Sequence, residues 1–370
     1  MKILHLIYDD INNPWLGGGG AVRTFEIYKR LAKKHEITVV TGNYPNANRE
    51  EEKEGILYRR VGSDKNYLWS RLTYSFKVPK LIKKLDYDIL VEDFSAFSPC
   101  FSPLYTKKPV IASIQNLYGI HAIKKYNALG VIAFIFEKFG LKLYKNFIAV
   151  SPSIKKQLES ANNGKIEVIS NGVDNFLLHL ETTEKNYILF LGRIEIYQKG
   201  IDILLKAFSK IAEHTKVELI IVGGGKEKDI NKLKNLIGRF GLKNRVDFLG
   251  KVSNQKKNEL FSSCLFVCMP SRFESWGIVA IEAAACGKPV IGTKIPGLWD
   301  TVKDGKTGIL VEPDNPEELS RAMIKLIEND DLRRQLGKNA RIWAKNFNWD
   351  NIAKIQEEFY FEVLEQVEIN

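Results

Sequence analysis

Two series of short apolar runs, each alternating with helical segments, limit most strongly what this chain can fold into. In the first half, apolar runs predict strands at Lys2–Tyr8, Glu36–Thr41, Ile56–Val61, Ile89–Val91, Val110–Ser113, Phe147–Val150 and Ile166–Ile169. The stretches between them carry apolar residues at helical spacing, as in Val22–Lys34. Continuous apolar runs are typical of strands buried on both faces, so this alternation predicts a doubly wound α/β domain.

The same alternation starts again in the second half. Strands are predicted at Lys185–Leu191, Val217–Val222, Val246–Leu249, Leu265–Met269 and Pro289–Thr293, and helices at Ile201–Glu213, Lys226–Phe240, Asn254–Ser263 and Ile278–Cys286. A chain of 370 residues exceeds the ~250–300 residues at which single cores stop growing. We therefore expect an N-terminal domain of residues 1–175, completed by a returning helix at 350–370, and a C-terminal domain of residues 176–349. The seam is expected in the polar stretch Asn175–Glu184.

Composition excludes several classes of protein. The four cysteines are too few for a disulfide scaffold, and without CxxC spacing or a histidine cluster they do not indicate structural zinc, so free buried thiols are expected. The N-terminus lacks the long apolar stretch of a secretory signal, and no run of about 18 apolar residues predicts a membrane-spanning helix. We expect a cytoplasmic protein, with association at the inner face of the membrane as a further hypothesis.

The basic charge lies in one half of the chain. Residues 1–170 carry 26 Lys and Arg against 16 Asp and Glu, whereas residues 171–370 carry 29 against 28. Such an asymmetry favours an anionic partner for the first half, such as a membrane surface, an acidic glycan or nucleic acid, or it serves only solubility.

A pair of glutamates gives the sharpest local signal. Glu274 lies in a loop after an apolar strand, and Glu282 lies one turn into the helix that Gly277 opens. A helix N-terminus offers unpaired N–H groups and partial positive charge, which suits a phosphate. A carboxylate one turn further along can accept hydrogen bonds from both hydroxyls of a ribose. The alternative is two solvated glutamates at a helix start.

Cations and small residues cluster after other predicted strands. Gly192, Arg193 and Lys199 follow the first strand of the second half, where α/β sheets bind ligands, and the two cations can grip a diphosphate leaving group. They also fit an ordinary basic surface loop. Gly17–Gly20 is a predicted glycine loop, yet it lacks the spacing and the ribose-binding acid of a nicotinamide site. Further small-residue turns are predicted at Ser170–Asp174 and Gly223–Gly225.

Together and in order, these segments resemble the retaining glycosyltransferases of family 4. The similarity covers nearly the whole chain and is densest in Tyr187–Trp343. The matching segments are GGGGAVRTFEIYKRLAKKHEITVVT, SNGVD, GRIEIYQKG, IIVGGG, RVDFLGKV, PSRFESWGIVAIEAAACGKPVI and DGKTGILVEPDNPEEL. The resemblance implies the GT-B fold, in which two Rossmann-like domains face across a cleft, with acceptor binding in the first domain and donor binding in the second. It also implies a nucleotide-sugar donor, with a UDP-sugar favoured over a GDP-sugar, and no metal or other cofactor.

The resemblance assigns roles to individual residues. Arg193 and Lys199 would hold the donor diphosphate, Glu282 the ribose and Glu274 the transferred sugar. The remaining donor-side candidates would line the sugar and phosphate seat, approach the diphosphate or lie near the base; they are Gly19, Gly20, Gly192, Lys251, Val252, Ser275, Trp276 and Gly277.

One departure from the family concerns the acceptor side. Many relatives carry a histidine after the strand corresponding to Val110–Ser113, whereas this chain has Gln115 and Asn116 there. Either amide can hydrogen-bond a sugar but cannot titrate near neutral pH. His121 is a possible substitute, although a lone histidine is commonly surface decoration.

Two further segments bear on the acceptor. Ala128–Tyr144 is an apolar run with a few charges, and Ser70–Lys84 mixes basic with apolar residues; such helices can lie on anionic membranes, although Ala128–Tyr144 also fits a core helix. We therefore predict a glycan or lipid-linked acceptor. The alternatives are a sugar-nucleotide epimerase or hydrolase, and a non-catalytic glycan- or polyanion-binding protein. Nucleic acid is not favoured, because the acidic pair lies in the half with almost no net charge.

Overall fold

The computed structural model describes residues 1–15 and 18–369, without the side chains of residues 120, 121, 124–126 and 367–369. It divides into two compact units, one of residues 1–171 with 349–370 and one of residues 172–348. The first unit therefore ends before the predicted boundary at residue 175. The stretch predicted as a polar seam is not polar throughout. It begins with a short helix, Asn175–Leu178, in which Leu177 and Leu178 are buried.

The first unit is built on an eight-stranded sheet in the order β3-β4-β2-β1-β5-β6-β7-β8. Its strands are β1 Lys2–Leu6, β2 Glu36–Gly42, β3 Glu50–Lys53, β4 Ile56–Val61, β5 Ile89–Asp93, β6 Val110–Ile114, β7 Asn146–Ala149 and β8 Lys165–Val168. Every pairing is parallel except that of β3 with β4. The sequence did not indicate β3, because its four residues, EEEK, carry no apolar side chain.

Helices cover both faces of this sheet. They are α1 Gly19–Leu31, α2 Tyr67–Lys84, α3 Ile120–Gly140, α4 Pro152–Glu159 and the returning helix α13 Trp349–Ile369. The connection through α1 runs from β1 toward the β3 edge of the sheet, whereas those through α2, α3 and α4 run toward the β8 edge. Because such crossovers are right-handed, α1 lies on one face of the sheet and the other three helices lie on the opposite face. Helix α13 packs with α1 in the core, where it buries Phe359, Tyr360 and Val363.

A buried arginine ties the returning helix to the rest of the first unit. Arg23 on α1 donates to the carbonyl of Ser170 at 2.6 Å and to Oε1 of Gln356 on α13 at 2.7 Å. Next to it, the hydroxyls of Tyr28 and Tyr360 lie 3.0 Å apart. An unpaired buried polar group is costly, so this network fixes α13 in one position against α1.

The second unit contains a six-stranded, fully parallel sheet in the order β11-β10-β9-β12-β13-β14. Its strands are β9 Tyr187–Leu191, β10 Glu218–Val222, β11 Val246–Gly250, β12 Val267–Met269, β13 Val290–Thr293 and β14 Gly308–Val311. Its helices are α5 Asn175–Leu178, α6 Ile201–Ala212, α7 Glu227–Arg239, α8 Asn254–Ser263, α9 Ile278–Ala285, α10 Leu298–Thr301, α11 Pro316–Glu328 and α12 Asp330–Ala344. The predicted alternation is confirmed, and the two sheets establish an α/β fold.

The cysteines behave as the composition predicted. All four are buried and free of disulfide bonds. Burial raises the pKa of the Cys264 and Cys286 thiols to about 12. Because the thiolate is the reactive form, these groups act as small apolar core residues.

Candidate functional site

The carboxyl edge of the second sheet gathers the predicted donor-side residues. The loops after β9, β10 and β12 begin at this edge because the three strands are parallel. They also touch: a Cβ at Gly223 would lie 1.7 Å from the carbonyl oxygen of Gly192, and a Cβ at Gly200 would lie 1.9 Å from that of Pro270. Any larger residue at Gly200 or Gly223 would push these loops apart, so glycine at both positions allows the loops to lie in contact.

Lys199 and Glu274 meet at this edge. The Lys199 ammonium donates to Oε1 of Glu274, and the two side chains are 16% and 14% exposed. Lys199 also lies beside Gly192, since a Cβ there would be 4.0 Å from Lys199 Cε. Sequence reasoning placed both residues in the site but did not foresee that they pair with each other.

Glu282 has a partner that sequence reasoning missed. Lys257, on α8, donates to Oε1 of Glu282 on α9 at 2.7 Å. Both side chains are largely buried, at 25% and 16% exposed. Lys257 gave no signal in the sequence, because it is one of two adjacent lysines in a polar helix and its direction depends on how α8 packs.

Two predicted cations remain open to solvent. Arg193 is exposed, and no described residue forms an ion pair or hydrogen bond with its guanidinium. Lys251 is exposed as well and passes close to Gly224, where an added Cβ would lie 2.4 Å from Lys251 Cε. Val252 is half-buried next to it. Charges at the carboxyl end of a sheet that no described residue neutralises are available to an anionic ligand.

The start of α9 lies at the same edge. Gly277 has a φ of 78°, and a Cβ there would be 2.9 Å from Leu298 Cδ2, so glycine is required. Ser275 is half-buried beside it. Trp276, predicted to line the seat, is 3% exposed, and its indole packs edge-on against Phe347 with the ring centroids 5.2 Å apart. Its part in the seat stays a prediction.

In the first unit, the predicted glycine loop is partly helical. Gly19 and Gly20 form the first turn of α1, and Gly17 lies outside the described residues. Gly20 faces a carboxylate that sequence reasoning missed, because a Cβ there would lie 3.7 Å from Asp93 Oδ2. Asp93 ends β5, and its side chain is 7% exposed.

The acceptor-side candidates lie next to Asp93. The Gln115 side chain donates to Asp93 Oδ1 and to Ser113 Oγ, both at 3.3 Å. Asn116 Oδ1 and Asp93 Oδ2 are buried without a hydrogen-bond partner among the described residues. Unsatisfied buried oxygens are costly, so both call for a hydrogen-bond donor that the described residues do not supply, although Nε2 of His5 lies 3.7 Å from Asp93 Oδ2. The side chain of His121, on α3, lies outside the described residues.

Asp9 positions the chain before α1. Its carboxylate accepts hydrogen bonds from the backbone N–H of Asp10 at 2.9 Å and of Gly18 at 2.8 Å. Burial raises the pKa of Asp9 to about 6, against the opposing effect of these two hydrogen bonds. Asp9 therefore titrates closer to neutrality than an ordinary aspartate.

Arg71 is a further cation at this edge that sequence reasoning did not single out. Its guanidinium donates to the hydroxyls of Tyr67 at 2.6 Å, Ser95 at 3.0 Å and Ser98 at 2.5 Å. It also lies over the ring of Tyr8, 4.9 Å from the centroid. Within the described residues it has no carboxylate partner, so its charge is not neutralised by that part of the chain.

Metal ligands are not clustered in the described residues, which contain no group of three His, Cys, Asp or Glu side chains placed to hold an ion. The triplet Asp86–Asp88 has Asp-x-Asp spacing but lies before β5, at the amino edge of the first sheet. There Asp86 pairs with Lys2 at 2.7 Å.

Family models match the two halves of the chain separately. The model described as Glycosyltransferase Family 4 matches residues 17–175. The model described as Glycosyl transferases group 1 matches residues 178–343. The second match contains Arg193, Lys199, Glu274 and Glu282.

Full-length relatives agree with these matches. An uncharacterised glycosyltransferase of Methanocaldococcus jannaschii is 31% identical over 97% of this chain and 99% of its own length. The N-acetyl-alpha-D-glucosaminyl L-malate synthase of Bacillus anthracis is 26% identical over 95% of each chain.

Solved structures show the same fold. Sucrose-phosphate synthase from Thermosynechococcus elongatus superposes with a TM-score of 0.85 at 21% identity, covering 99% of each chain. Anabaena HepE in complex with UDP and glucose gives a TM-score of 0.78 at 21% identity, covering 98% of this chain and all of that one. The fold is therefore GT-B, as the resemblance implied.

Proposed function

This chain belongs to the family 4 glycosyltransferases, and we propose that it moves a sugar from a nucleotide-diphosphate donor to a glycan or lipid-linked acceptor with retention of configuration. A UDP-sugar is the favoured donor and a GDP-sugar the next. In support, solved structures of Anabaena HepE contain UDP and UDP-glucose.

The arrangement of charges at the carboxyl edge of the second sheet supports the proposal most directly. Lys199 and Glu274 lie together, Glu282 lies one turn into α9, and Arg193 pairs with no carboxylate of the described residues. A diphosphate placed at the start of α9 would meet amide groups and two cations. Its ribose would then be within reach of Glu282.

The chemical step follows from these charges. The bond between the anomeric carbon and the β-phosphate oxygen breaks as positive charge develops on the sugar ring. Arg193, Lys199 and the amides of α9 stabilise the departing diphosphate, while Glu274 orients the sugar. An acceptor hydroxyl attacks from the face that the diphosphate leaves, and its proton passes to the departing phosphate oxygen. No side-chain base is required in this scheme, and no cofactor or metal takes part.

The first unit is the proposed acceptor domain. Asp93 and Gln115 lie next to Gly20 at the carboxyl edge of its sheet, and Asn116 follows Gln115 in the same loop. Arg71 adds a cation without a counter-ion among the described residues. A hydroxyl-rich acceptor that also carries an anionic group fits these partners.

Helix α3 gives the acceptor a membrane context. The sequence allowed α3 to be a core helix, but the structure contradicts that interpretation, because its large apolar side chains face solvent. The exposed ones are Leu129, Val131, Ile132, Ile135, Phe136 and Phe139. Soluble proteins rarely expose contiguous apolar patches of this kind without a function. No described helix is long and apolar enough to cross a membrane.

Helix α2 lies on the same sheet face and also exposes large apolar side chains. Trp69 and Phe76 are 53% and 77% exposed. Lys77, Lys80 and Lys83 follow on the exposed side of the same helix. Apolar side chains flanked by lysines match an anionic lipid surface, whereas two copies of the face would repel each other through those lysines. We therefore assign an anionic membrane surface, the cytoplasmic leaflet, as the partner of this face.

A transfer assay tests the proposed activity. The chain is incubated with isotope-labelled UDP-sugars or GDP-sugars, with and without a membrane lipid and glycan extract, and the products are separated. Labelled glycan or glycolipid that forms only with the extract supports transfer. Donor converted equally well without the extract would indicate an epimerase or hydrolase instead. Nucleotide-sugar binding without any product would indicate a glycan-binding protein.

A further inference from the structure

A polar cavity lies away from the candidate site. It has a volume of about 680 Å³ and is lined by the loop before β9, the turn between α9 and β13, and helix α12. Glu184 precedes β9, and Lys288 precedes β13, so the cavity lies at the amino edge of the second sheet. The donor-side residues lie at the carboxyl edge, so the two sites are separate.

Basic side chains dominate the lining. Helix α12 and the residue after it carry Arg334, Lys338, Arg341 and Lys345, all of which line the cavity. Their spacing places them along one stripe of the helix. Among the described lining residues, Glu184 is the only acid, and it is already engaged by Arg333 at 2.7 Å.

Three of the lining cations have no counter-ion in the described part of the chain, whereas Arg334 lies 4.0 Å from both Glu184 and Asp330. Lys338 and Lys345 are exposed, and neither forms an ion pair with a described residue. Arg341 is half-buried; it donates to the carbonyl of Leu180 at 3.2 Å, and its Nε is buried without a described partner. Like charges one turn apart repel each other, and an anion in the cavity would relieve this repulsion.

The protein holds the cavity wall rigidly. A Cβ at Gly337 would lie 2.1 Å from the carbonyl oxygen of Gly287, so α12 packs directly on the turn before β13. Lys288 is 3% exposed and donates to the carbonyl of Thr183 at 2.9 Å, which joins that turn to the loop before β9. Close packing and this hydrogen bond thus position the backbone segments that carry the basic side chains.

We propose that this cavity binds a soluble oligophosphate, such as a chain of two or three linked phosphates. Several cations with free N–H donors match several phosphate charges, and arginine binds phosphate in a bidentate manner. The volume lies within the range of small-molecule sites. The described lining includes no aromatic ring and only Ile342 as a large apolar residue. A nucleotide base would therefore find no side chain there to stack on. Recognition therefore rests on the phosphate chain itself.

Calorimetric titration with tripolyphosphate at about 0.15 M salt tests the proposal. We expect the double variant Lys338→Ala/Lys345→Ala to bind at least tenfold more weakly than the unmodified chain. The matched control, Lys232→Ala/Lys234→Ala, removes the same charge from exposed positions on α7 in the same unit and should bind as the unmodified chain does. ATP should bind with similar affinity through its triphosphate.

Three results would overturn the proposal. The first is that the unmodified chain and the Lys338→Ala/Lys345→Ala variant bind tripolyphosphate equally well, or that neither binds it. The second is an equal loss in both double variants, which would show unspecific charge attraction. The third is binding to vesicles that contain phosphatidic acid without binding to tripolyphosphate, which would assign the surface to a lipid headgroup. Circular dichroism of each variant establishes that the fold is retained, and Arg341→Gln provides a second variant within the cavity.

Discussion

The ammonium of Lys199 donates to the carboxylate of Glu274, so the proposed diphosphate-binding cation and the proposed sugar-binding acid are each other's partners in this structure. Both side chains are largely buried. A donor that places its diphosphate beside Lys199 must therefore take over part of this interaction. The pair links recognition of the phosphate to the position of the acid that orients the sugar.

Glu274→Gln separates these two roles. The substitution removes a negative charge near the phosphate position and frees Lys199, so we expect UDP to bind about 3- to 10-fold more tightly, or about 0.7–1.4 kcal/mol. Transfer should fall at least tenfold, because the sugar loses its charged partner. Titration calorimetry and a turnover assay measure the two effects. Glu218→Gln, at an exposed position in the same unit, should change neither; weaker UDP binding by Glu274→Gln would contradict these roles.

Lys257→Met tests the partner of Glu282. The substitution leaves a largely buried carboxylate without its hydrogen-bonded cation, which should lower the free energy of unfolding of the second unit by about 1–2 kcal/mol. Urea denaturation measures the loss. Lys257→Arg should restore most of it, and Lys256→Met, at the neighbouring exposed position, should have little effect. Equal stability of Lys257→Met and the unmodified chain would show that the pair contributes nothing.

Much of the fold follows from local pattern. The two series of apolar runs predict nearly all the strands, because strands buried on both faces leave a continuous apolar signature. Two strands were not predicted. The residues of β3, EEEK, lie at the sheet border and bury no apolar face, and β14 is a four-residue strand at the border of the second sheet. The short helix Asn175–Leu178 was not predicted, because two adjacent leucines in a polar stretch do not show the 3.6-residue periodicity of a helix.

The site is only partly readable from sequence. Glu274, Glu282, Arg193 and Lys199 stand in motifs, so their place at one sheet edge can be predicted. Lys257 stands in no motif, and the pairing of two charged residues distant in sequence depends on how helices pack. Trp276 stands in a motif, yet its side chain is buried, and the sequence alone does not show that direction.

The raised pKa of Asp9 makes stability depend on pH. Because burial raises this pKa to about 6 in the folded state, from an ordinary value of 3.8, the folded chain holds a proton that the unfolded chain has lost between about pH 4 and 6. Stability should fall as the pH rises through this window, by up to about 3 kcal/mol, and level off above it.

Asp9→Asn does not titrate and should lack this loss. We expect it to gain stability relative to the unmodified chain between about pH 5 and 7, as measured by urea denaturation at both values. Asp64→Asn, at an exposed position of the same unit, is the control. A stability difference between Asp9→Asn and the unmodified chain that stays constant over this range would contradict the assigned pKa.

The exposed face of α2 and α3 predicts selective membrane binding. Flotation should recover the chain with vesicles rich in phosphatidylglycerol but not with phosphatidylcholine alone. Phe76→Ser/Phe139→Ser should lower the bound fraction at least tenfold, because each phenylalanine buries apolar area in the lipid. The control Phe176→Ser/Phe361→Ser replaces phenylalanines that are also exposed but lie outside this face. No flotation at low salt, or a dimer formed through this face instead, would contradict the assignment.

Calorimetric titration of UDP into the unmodified chain and into Arg193→Ala tests the central claim most directly. We predict that removal of Arg193 weakens UDP binding at the donor site by about 1.5–3 kcal/mol, which corresponds to a roughly 10- to 150-fold higher Kd. Lys206→Ala, at an exposed position on α6, should bind UDP as the unmodified chain does. Equal UDP affinity of Arg193→Ala and the unmodified chain would show that the diphosphate is held elsewhere.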